Sequence, residues 1–545
     1  MQRDLDRLTA KTFDVLVVGG GVLGLAIAYD AAQRGLVVAL IERGDFGGGA
    51  SFNHLRTIHG GLRYLQTLDI PRARESIRER RALARIAPHA VRVLPFGLPL
   101  YRSVMKGKMA MRAAFILDRA VASDRNRGVP ARLRLPGGSV LSAAEAIERF
   151  PGLRRRGLTG AAVWHDYTTP EADRLTFSWA IAAVEHGAVV ANYVEATAPL
   201  LSVQRALGVR AIDRRNGREL EIGAKVTVNA TAGAFDRSLA RPGDPKPITL
   251  LRAMNLVTRR DAGDEALGGR SASGRHLFLV PCRNRAIFGT WESTRPCAAD
   301  AGAPGEAEIA SFIGELNEAF PSLDLQMNDV TLVHRGAVPA AVAHDGSVSL
   351  ETREQIRDHA AGSEPIEGLV SVAGTKYTTA RGVAERVTNR VLTKLQRREV
   401  PCRTAITSLP GGDVRDVLVA IADARREHDA GLPSDTIPHL IAAYGSRYGQ
   451  VLELAGERSA WRARVADDSP VIGAQLAWAV RHEMAITLAD AVVRRTPLGA
   501  MGYPGDPAAE RAAGIVGGEL DWSQERKRKE IETLRQFYGF TTQDP

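Results

Sequence analysis

Three glycines near the start of the chain, Gly19, Gly21 and Gly24, have the spacing of a phosphate-binding turn. Gly19 would permit the turn, Gly21 would let the backbone approach a pyrophosphate, and Gly24 would let a helix pack closely on a strand. Glu42 follows about 20 residues later, where a carboxylate would bind the hydroxyls of an adenosine ribose. These residues predict that the chain binds a dinucleotide.

The flanking residues predict the elements that would position this site. Residues 13–18 form an apolar, β-branched run typical of a strand, and small residues follow the glycines at helical spacing. A second apolar run, residues 37–41, ends at Glu42. The helix between the two strands would direct unpaired N–H groups and the positive end of its dipole at the phosphates. This unit does not separate NAD from FAD, but the small-residue run Gly47–Ser51 directly after it favours FAD.

Composition and charge exclude several classes of protein. The 545 residues are 45% apolar and 25% charged, which is typical of a folded chain of roughly three or four domains and not of a disordered or collagen-like one. The net charge of +10 permits an anionic partner, but no other feature indicates nucleic acid. Three cysteines without metal-ligand spacing predict no disulfide framework and no metal site, and they fit a reduced intracellular compartment.

Beyond the glycine turn, motifs spread over roughly residues 13–540 resemble the FAD-dependent glycerol-3-phosphate dehydrogenases. The chain shares with that family a His-Gly-Gly-Leu-Arg-Tyr segment, a strand that returns to the nucleotide, a Gly-Thr-Lys loop that closes over the flavin, and a helical C-terminal region. The segments that carry the resemblance are residues 13–42, 58–65, 75–81, 87–89, 228–231, 371–379, 444–449 and 482–496.

The resemblance implies an α/β fold in which a Rossmann-like FAD-binding domain is interwoven with an α+β substrate domain and followed by a C-terminal helical domain. The FAD-dependent oxidoreductase region is expected at residues 1–405. Its nucleotide-binding segments would be about 10–90, 165–245 and 345–405, and its substrate segments about 90–165 and 245–345. The helical domain is expected at residues 406–545.

The resemblance also implies which residues hold FAD and which carry out the chemistry. Lys376 would lie beside the flavin and stabilise its reduced, anionic form, with an ordinary surface lysine as the alternative. His59 or His334 would accept the hydroxyl proton of an alcohol, with a purely structural role as the alternative for each. Arg335 is the fourth catalytic candidate and would hold a substrate anion, with an ion pair at the surface or within the fold as the alternative. The expected cofactor-binding residues are Gly19, Gly21, Gly24, Glu42, Arg43, Ser51, Val194, Gly374, Thr375 and Lys376.

The chain departs from the family at positions that would hold a phosphorylated polyol. Val338 stands where the family has a phosphate-binding arginine in a Gly-x-Arg-Pro motif, and Asn255 stands where the family has a histidine. Trp291 and Met254 add bulk in neighbouring motifs. The predicted substrate-binding residues are Arg56, Arg252, Trp291, Val338 and Arg381, with a structural ion pair as the alternative for Arg381.

Several functions remain open at this point. One is oxidation of glycerol 3-phosphate to dihydroxyacetone phosphate, or of a related secondary alcohol, by hydride transfer to N5 of the flavin. A second keeps the flavin but takes a less anionic alcohol or an amine, because Val338, Trp291 and Met254 remove charge or add bulk. A third is a non-catalytic flavin-binding protein, and a fourth is an NAD-dependent enzyme that shares only the opening fold.

One segment, residues 101–127, interleaves basic residues with methionine, phenylalanine and isoleucine and has no acidic residue before Asp118. This pattern fits a helix in a lipid interface and also an amphipathic helix of the core. The resemblance favours the interface, because bacterial members of the family are peripheral membrane proteins that pass electrons to quinone. We therefore expect a cytoplasmic protein, with contact at the inner face of the membrane and packing of this segment in the core as the two alternatives, and with quinone or oxygen as the electron acceptor.

Overall fold

The computed structural model describes residues 1–102, 107–232, 248–299, 302–361, 365–428 and 431–539. Residues 103–106 of the segment with a predicted lipid contact lie outside the described residues. The strands are β1 (Phe13–Val18), β2 (Val38–Ile41), β3 (Thr57–Ile58), β4 (Arg92–Tyr101), β5 (Ser139–Ser142), β6 (Leu158–Thr168), β7 (Val189–Ala191), β8 (Val194–Ser202), β9 (Arg205–Asp213), β10 (Glu219–Asn229), β11 (Leu250–Thr258), β12 (Ala266–Arg270), β13 (His276–Cys282), β14 (Arg285–Cys297), β15 (Val330–Val342), β16 (Val348–Leu350), β17 (Gln355–Asp358) and β18 (Leu369–Ala373).

Helices alternate with these strands and then follow them. They are α1 (Leu5–Thr9), α2 (Val22–Gln33), α3 (Leu62–Gln66), α4 (Ile70–Ile86), α5 (Lys108–Val121), α6 (Ala143–Arg149), α7 (Ala172–Glu185), α8 (Glu306–Ala319), α9 (Ala380–Lys394), α10 (Val417–His428), α11 (Thr436–Tyr444), α12 (Tyr448–Ala455), α13 (Gly473–Glu483), α14 (Asp506–Glu519) and α15 (Gln524–Tyr538). None of these described helices is long and apolar enough to cross a membrane.

The first sheet is built around β1 and has the strand order β17-β18-β10-β1-β2-β7. The strands from β18 to β7 pair in parallel, and β17 adds antiparallel to β18 at the edge. Every residue of β1 is buried, as expected for a central strand covered on both faces. Helices α2, α7 and α9 pack on one of these faces, and α1 with β8 and β9 packs on the other, so the sheet is covered on both sides.

The second sheet has the strand order β16-β15-β11-β14-β13-β12-β4-β6-β3, with β5 paired to β6. Its pairs are antiparallel except that of β12 with β4. Two separate stretches of chain, from β3 to β6 and from β11 to β16, supply its strands, and most of the first sheet comes from between and outside them. The two sheets are therefore interwoven along the chain.

Helices α10 to α15 follow the last strand and pack largely on one another. Their apolar cluster also includes Val257, Ile287 and Leu332 of the second sheet, so the helical region docks on that sheet. This arrangement confirms the predicted fold class. The domain boundary near residue 405 stays a prediction.

Candidate active site

The turn between β1 and α2 requires glycine at two of the predicted positions. Gly19 has a φ of +109°, and a Cβ there would lie 2.8 Å from the carbonyl oxygen of Ala230. A Cβ on Gly24 would lie far inside van der Waals contact with the carbonyl oxygen of Gly19. Gly21 is the N-cap of α2 and carries no capping side chain. No N-cap side chain therefore blocks this end of α2, where a pyrophosphate would lie.

Glu42 directly follows β2 and lies beside this turn. Its carboxylate accepts hydrogen bonds from the backbone N–H groups of Gly20, at 2.6 Å, and Gly44, at 2.8 Å. Burial raises the pKa of Glu42, and the two N–H groups offset part of that rise. Val194 donates its backbone N–H to the carbonyl oxygen of Glu42, whereas Arg43 is exposed. The predicted ribose-binding acid is therefore fixed at the edge of the turn.

The chain between Glu42 and Ser51 folds back over the turn. The backbone N–H of Gly47 donates to the carbonyl oxygen of Gly20 at 2.8 Å. The Ser51 Oγ accepts a hydrogen bond of 2.9 Å from the backbone N–H of Val22, the first residue of α2. Ser51 thus reaches one of the N–H groups that a phosphate at the helix N-terminus would use.

The loop that follows β18, residues 374–379, faces the glycine turn across a cleft. Three predicted cofactor-binding residues of this loop, Gly374, Thr375 and Lys376, line the cleft. Val22 of α2 and Ser51 line it from the other side. The glycine turn and the Lys376 loop are far apart in the sequence, but they meet at this cleft. The prediction of FAD depends on these two motifs.

Two cations contact the ring of Tyr64 at the edge of this cleft. The Nζ of Lys376 lies 4.4 Å from the ring centroid, and the guanidinium carbon of Arg72 lies 5.4 Å from it. Arg72 donates from Nη1 to the Oγ1 of Thr352, a residue that lines the cleft, at 3.1 Å. Among the described residues, the Nη2 of Arg72 has no hydrogen-bond partner and Lys376 has no ion-pair partner. Arg72 also forms an ion pair of 3.5 Å with Asp69, so of these two described groups Lys376 carries the unpaired charge, and the Nη2 of Arg72 is a buried donor.

His59 follows β3 and is held by two neighbours. Its Nε2 lies 2.7 Å from the Oγ1 of Thr57, and its Nδ1 lies 3.4 Å from the Oδ2 of Asp166. Burial raises the pKa of Asp166, but the bonded Arg80 and the nearby His59 outweigh that effect and hold it below its ordinary value. The imidazole is about half exposed, and the backbone N–H of His59 donates to Thr378 in the loop that follows β18.

His334 lies on β15 directly opposite Asn255 on β11. It is fully buried, and its ring meets that of Phe52 edge-on at 5.2 Å. Within the described chain, neither ring nitrogen of His334 nor the Oδ1 of Asn255 has a hydrogen-bond partner. Burial lowers the pKa of His334 well below its ordinary value, and the charges of Arg56 and His54 lower it further. His334 is therefore a neutral ring in the wall behind the cleft.

Two arginines predicted to bind substrate are held in buried ion pairs. Arg56 is fully buried and donates to the Oδ2 of Asp173 at 3.1 Å. Arg381 donates to both carboxylate oxygens of Glu79, at 2.6 and 2.7 Å. The structure does not bring either guanidinium to the cleft, and for Arg381 the geometry fits the structural ion pair that the sequence left as the alternative.

The other two predicted arginines lie on the second sheet. Arg252 pairs with Glu308 of α8 at 2.6 Å. Arg335 donates to the carbonyl oxygen of Phe537 at 3.3 Å and lies over its ring. The adjacent Gly336 abuts the cofactor cleft, because a Cβ there would lie 3.4 Å from Ala50. Successive residues of a strand face opposite sides, so Arg335 points away from that contact.

The bulky replacements on this sheet are part of the core. Trp291 and Met254 pack with Phe312 of α8 in one apolar cluster. Val338 is half-buried opposite Leu251. Trp291 and Met254 therefore fill the space beneath α8 and do not narrow the cleft.

Arg72 and Asp166 were not predicted from the sequence. Asp166 is an acid near the end of the otherwise mostly apolar strand β6, which was a usable signal. Arg72 stands in a helix with many arginines, and nothing distinguishes it from its neighbours in the sequence.

The cleft fits FAD, because it combines the glycine turn, the acid after β2 and the cationic loop. Comparison with known protein families supports the same cofactor. A family model for FAD-dependent oxidoreductases matches residues 14–390, and one for the C-terminal domain of alpha-glycerophosphate oxidase matches residues 402–527. The fold and the cleft are those of an FAD-dependent oxidoreductase. Its cofactor is FAD.

Relatives match almost the whole chain. The mitochondrial glycerol-3-phosphate dehydrogenase of Mesocricetus auratus is 31% identical over 96% of this chain and 73% of its own length. The glycerol-3-phosphate dehydrogenase of Mycobacterium leprae is 31% identical over 97% of this chain and 88% of its own. The chain belongs to the family of FAD-dependent glycerol-3-phosphate dehydrogenases, as the sequence resemblance predicted.

A solved structure shows the same fold. The glycerol-3-phosphate dehydrogenase from Bacillus halodurans, complexed with FAD, has a TM-score of 0.77 and 24% identity to this chain, and the match covers 99% of this chain and 98% of that one. The agreement extends over the two sheets and the C-terminal helices together.

Proposed function

We propose that this enzyme oxidises the secondary hydroxyl of glycerol 3-phosphate and yields dihydroxyacetone phosphate. The observation that carries the proposal is the extent of the match: relatives named for this reaction align with 96% and 97% of the chain. The match includes the C-terminal helices, for which the family model is named after alpha-glycerophosphate oxidase.

FAD, when bound, accepts the hydride from the alcohol carbon. The accompanying proton needs an acceptor, and we assign that role to His59. Its ring is accessible, and the Asp166 carboxylate near Nδ1 orients it and stabilises the imidazolium that forms. His334 does not fit this role, because it is fully buried and its pKa is well below the ordinary value.

Lys376 supplies positive charge at the cleft. Its ammonium lies on the ring of Tyr64 and is not neutralised by an ion pair among the described residues. A fixed cation in a site from which water is partly excluded stabilises negative charge that develops during reduction of the cofactor.

Arg72 is our candidate for the substrate phosphate. Val338 offers no positive charge, Arg252 is paired with Glu308, and Arg335 points away from the cleft. Arg72 contacts Thr352 at the cleft edge, pairs with Asp69 through Nε at 3.5 Å, and keeps a buried Nη2 without a partner in the described chain. A guanidinium with free donors suits a phosphate better than an ammonium, because its planar fork can bond two oxygens.

Anaerobic reduction of the bound flavin tests the substrate. Glycerol 3-phosphate is expected to bleach the flavin absorbance at micromolar to millimolar concentration, and glycerol at equal concentration is not. Arg72→Gln should raise the KM for glycerol 3-phosphate about tenfold or more while the flavin content stays unchanged. Arg74→Gln is the matched control, because Arg74 lies on the same helix and also pairs with a carboxylate, that of Asp124, but bonds the carbonyl oxygen of Val121 where Arg72 bonds Thr352 at the cleft. Bleaching by an amine or an uncharged alcohol, and not by glycerol 3-phosphate, would favour the second enzyme function.

We further propose that α5 contacts an anionic membrane surface. Met109 and Ile116 are 74% and 72% exposed, and Arg112 and Arg119 are exposed on the same helix. Apolar groups flanked by arginines suit an interface of anionic headgroups. The opposite face, with Met111 and Phe115, packs in the fold, so core packing accounts for that face and leaves the exposed face for the proposed lipid contact. Such a contact would bring the enzyme to a quinone acceptor dissolved in the bilayer.

Vesicle co-sedimentation tests this contact. Binding to vesicles that contain phosphatidylglycerol should exceed binding to pure phosphatidylcholine, and the double substitution Met109→Ser with Ile116→Ser should reduce it several-fold. The matched control is Leu418→Ser with Val419→Ser, two residues that are also exposed, on α10. Equal loss in both double variants would contradict a contact made by α5.

A further inference from the structure

The chain between Glu42 and Ser51, which we call the cofactor loop, connects two residues that meet the glycine turn. Glu42 accepts from the backbone of Gly20, and Ser51 accepts from that of Val22. In the middle of the loop, Gly47 also donates to Gly20. The position of this loop therefore sets where the ribose acid and the Ser51 hydroxyl lie relative to the cofactor.

Asp45, in this loop, is tied to the C-terminal helical region by two arginines. Arg495 donates to both of its carboxylate oxygens, at 2.6 and 2.7 Å, and Arg494 donates to one of them at 2.8 Å. Asn192 adds a hydrogen bond of 3.1 Å. Burial raises the pKa of Asp45, but the two guanidinium groups outweigh it and hold that pKa below the ordinary value. The loop is thus anchored by charge-assisted bonds from a distant part of the chain.

The arginines are themselves fixed in place. Both lie in the short helical segment Asp490–Arg495, and the guanidinium of Arg495 lies 4.0 Å from the ring centroid of Phe177. Its Nε donates to the carbonyl oxygen of Glu483 at 2.9 Å. Asp490 accepts from Arg494 and from the hydroxyl of Tyr193. Two carboxylates and two guanidiniums therefore form a closed, buried network with matched charge.

We propose that Arg494 and Arg495 are positioning residues for FAD: by holding Asp45, the C-terminal helical region fixes the cofactor loop in the conformation that binds the adenosine diphosphate half of the cofactor. Their effect passes through Asp45 to Glu42 and Ser51, which lie three residues before it and six after it. The inference concerns cofactor binding and does not depend on which substrate is oxidised.

The test is titration of the flavin-free full-length protein with FAD and, separately, with ADP. Arg495→Lys keeps the charge but loses the two-pronged bond to Asp45, and we expect the Kd for both ligands to rise about ten- to a hundredfold. Arg494→Lys leaves both bonds of Arg495 in place and should give a smaller rise. ADP lacks the flavin, so a weaker ADP complex locates the effect at the cofactor loop.

The matched control is Arg447→Lys. Arg447, in the C-terminal helical region, donates to both carboxylate oxygens of Glu185 on α7, at 2.5 and 3.0 Å, so it joins the same two parts of the chain by a two-pronged bond away from Asp45. It should leave both Kd values within about threefold of wild type. Unchanged ADP and FAD binding in Arg495→Lys and Arg494→Lys would overturn the proposal. So would equal weakening in Arg447→Lys, because the effect would then come from general docking of the helices.

Discussion

The cofactor cleft and the substrate side of the second sheet are built in different ways. At the cleft, glycines and backbone N–H groups define the surface, and a side chain at Gly19 or Gly24 would collide with backbone atoms. On β11, β14 and β15, which the resemblance predicts to face the substrate, individual side chains such as Val338 and Asn255 would define the surface. A binding surface formed by backbone atoms keeps its shape only with small residues such as glycine at a few positions. A binding surface formed by side chains changes its shape and charge with each substitution.

The two regions also differ in whether their buried polar groups have hydrogen-bond partners. Near the glycine turn, Glu42 and Asp45 are each held by two or more donors. On the second sheet, His334 and Asn255 face each other with polar atoms that have no partner among the described residues. Buried polar groups without partners are expensive, so they persist where function or an ordered water requires them.

Gly24→Val should give the largest loss of flavin and of stability, because it places a side chain in the part of the cleft that is formed by backbone atoms. Its side chain would collide with the carbonyl oxygen of Gly19 and force β1 and α2 apart. We expect loss of bound flavin and a stability loss of about 3 kcal/mol or more. Absorbance of the purified protein near 450 nm and its thermal unfolding measure the two effects. The control Gly314→Ala, on α8, has open space around it and should keep its flavin.

His59→Gln should give the next largest effect, a fall in kcat. This variant tests whether His59 or His334 accepts the proton. If His59 accepts the proton, kcat should fall about 100-fold or more while flavin content stays normal. Asp166→Asn should give a smaller fall, because it removes only the group that orients the ring. His344→Gln, in an exposed loop, serves as the control. A normal kcat in His59→Gln together with loss of activity in a His334 variant would move the proton acceptor to β15.

The sequence was most informative where a function is encoded in consecutive residues. The strand, the glycine turn, its helix and the second strand were predicted correctly as a unit, because they depend on local backbone geometry, and the binding roles of the glycines and Glu42 stay predictions. The meeting of this turn with the Lys376 loop came from the family resemblance, since no local pattern specifies which distant loop closes a cleft.

Residues whose roles depend on tertiary partners could not be read from the chain. From the sequence alone, Arg56 and Arg381 are typical anion-binding residues. In the fold, however, Arg56 pairs with Asp173 and Arg381 pairs with Glu79. Arg72 had no distinguishing pattern, and its free Nη2 is visible only once its neighbours are in place. Ion-pair partners far apart in sequence are set by the packing of helices and sheets, which spacing does not encode.

His334→Phe should give the smallest effect, a change in how folding stability depends on pH, and the direction of that change can be predicted. The unfolded chain binds a proton at this histidine near pH 6.5, whereas the folded chain does not, because burial lowers the pKa of His334 well below that value. The unfolded state therefore holds more protons as the pH falls, and this group makes folding stability decrease below about pH 6.5. Phenylalanine removes that contribution and keeps an aromatic ring against Phe52.

The measurement is the free energy of unfolding in urea at pH 7 and pH 5. Relative to wild type, His334→Phe should gain about 2 kcal/mol more at pH 5 than at pH 7, since one proton changes stability by about 1.4 kcal/mol per pH unit. His89→Phe is the comparison: His89 is also buried, with its pKa lowered to about 4, and it lines a different cavity, beside Arg174 and Tyr444. Both variants should shift stability in the same direction, but only His334→Phe should alter the KM for substrate. An unchanged pH dependence in His334→Phe would mean that this ring takes up a proton in the folded enzyme, which would make it a candidate acid or base.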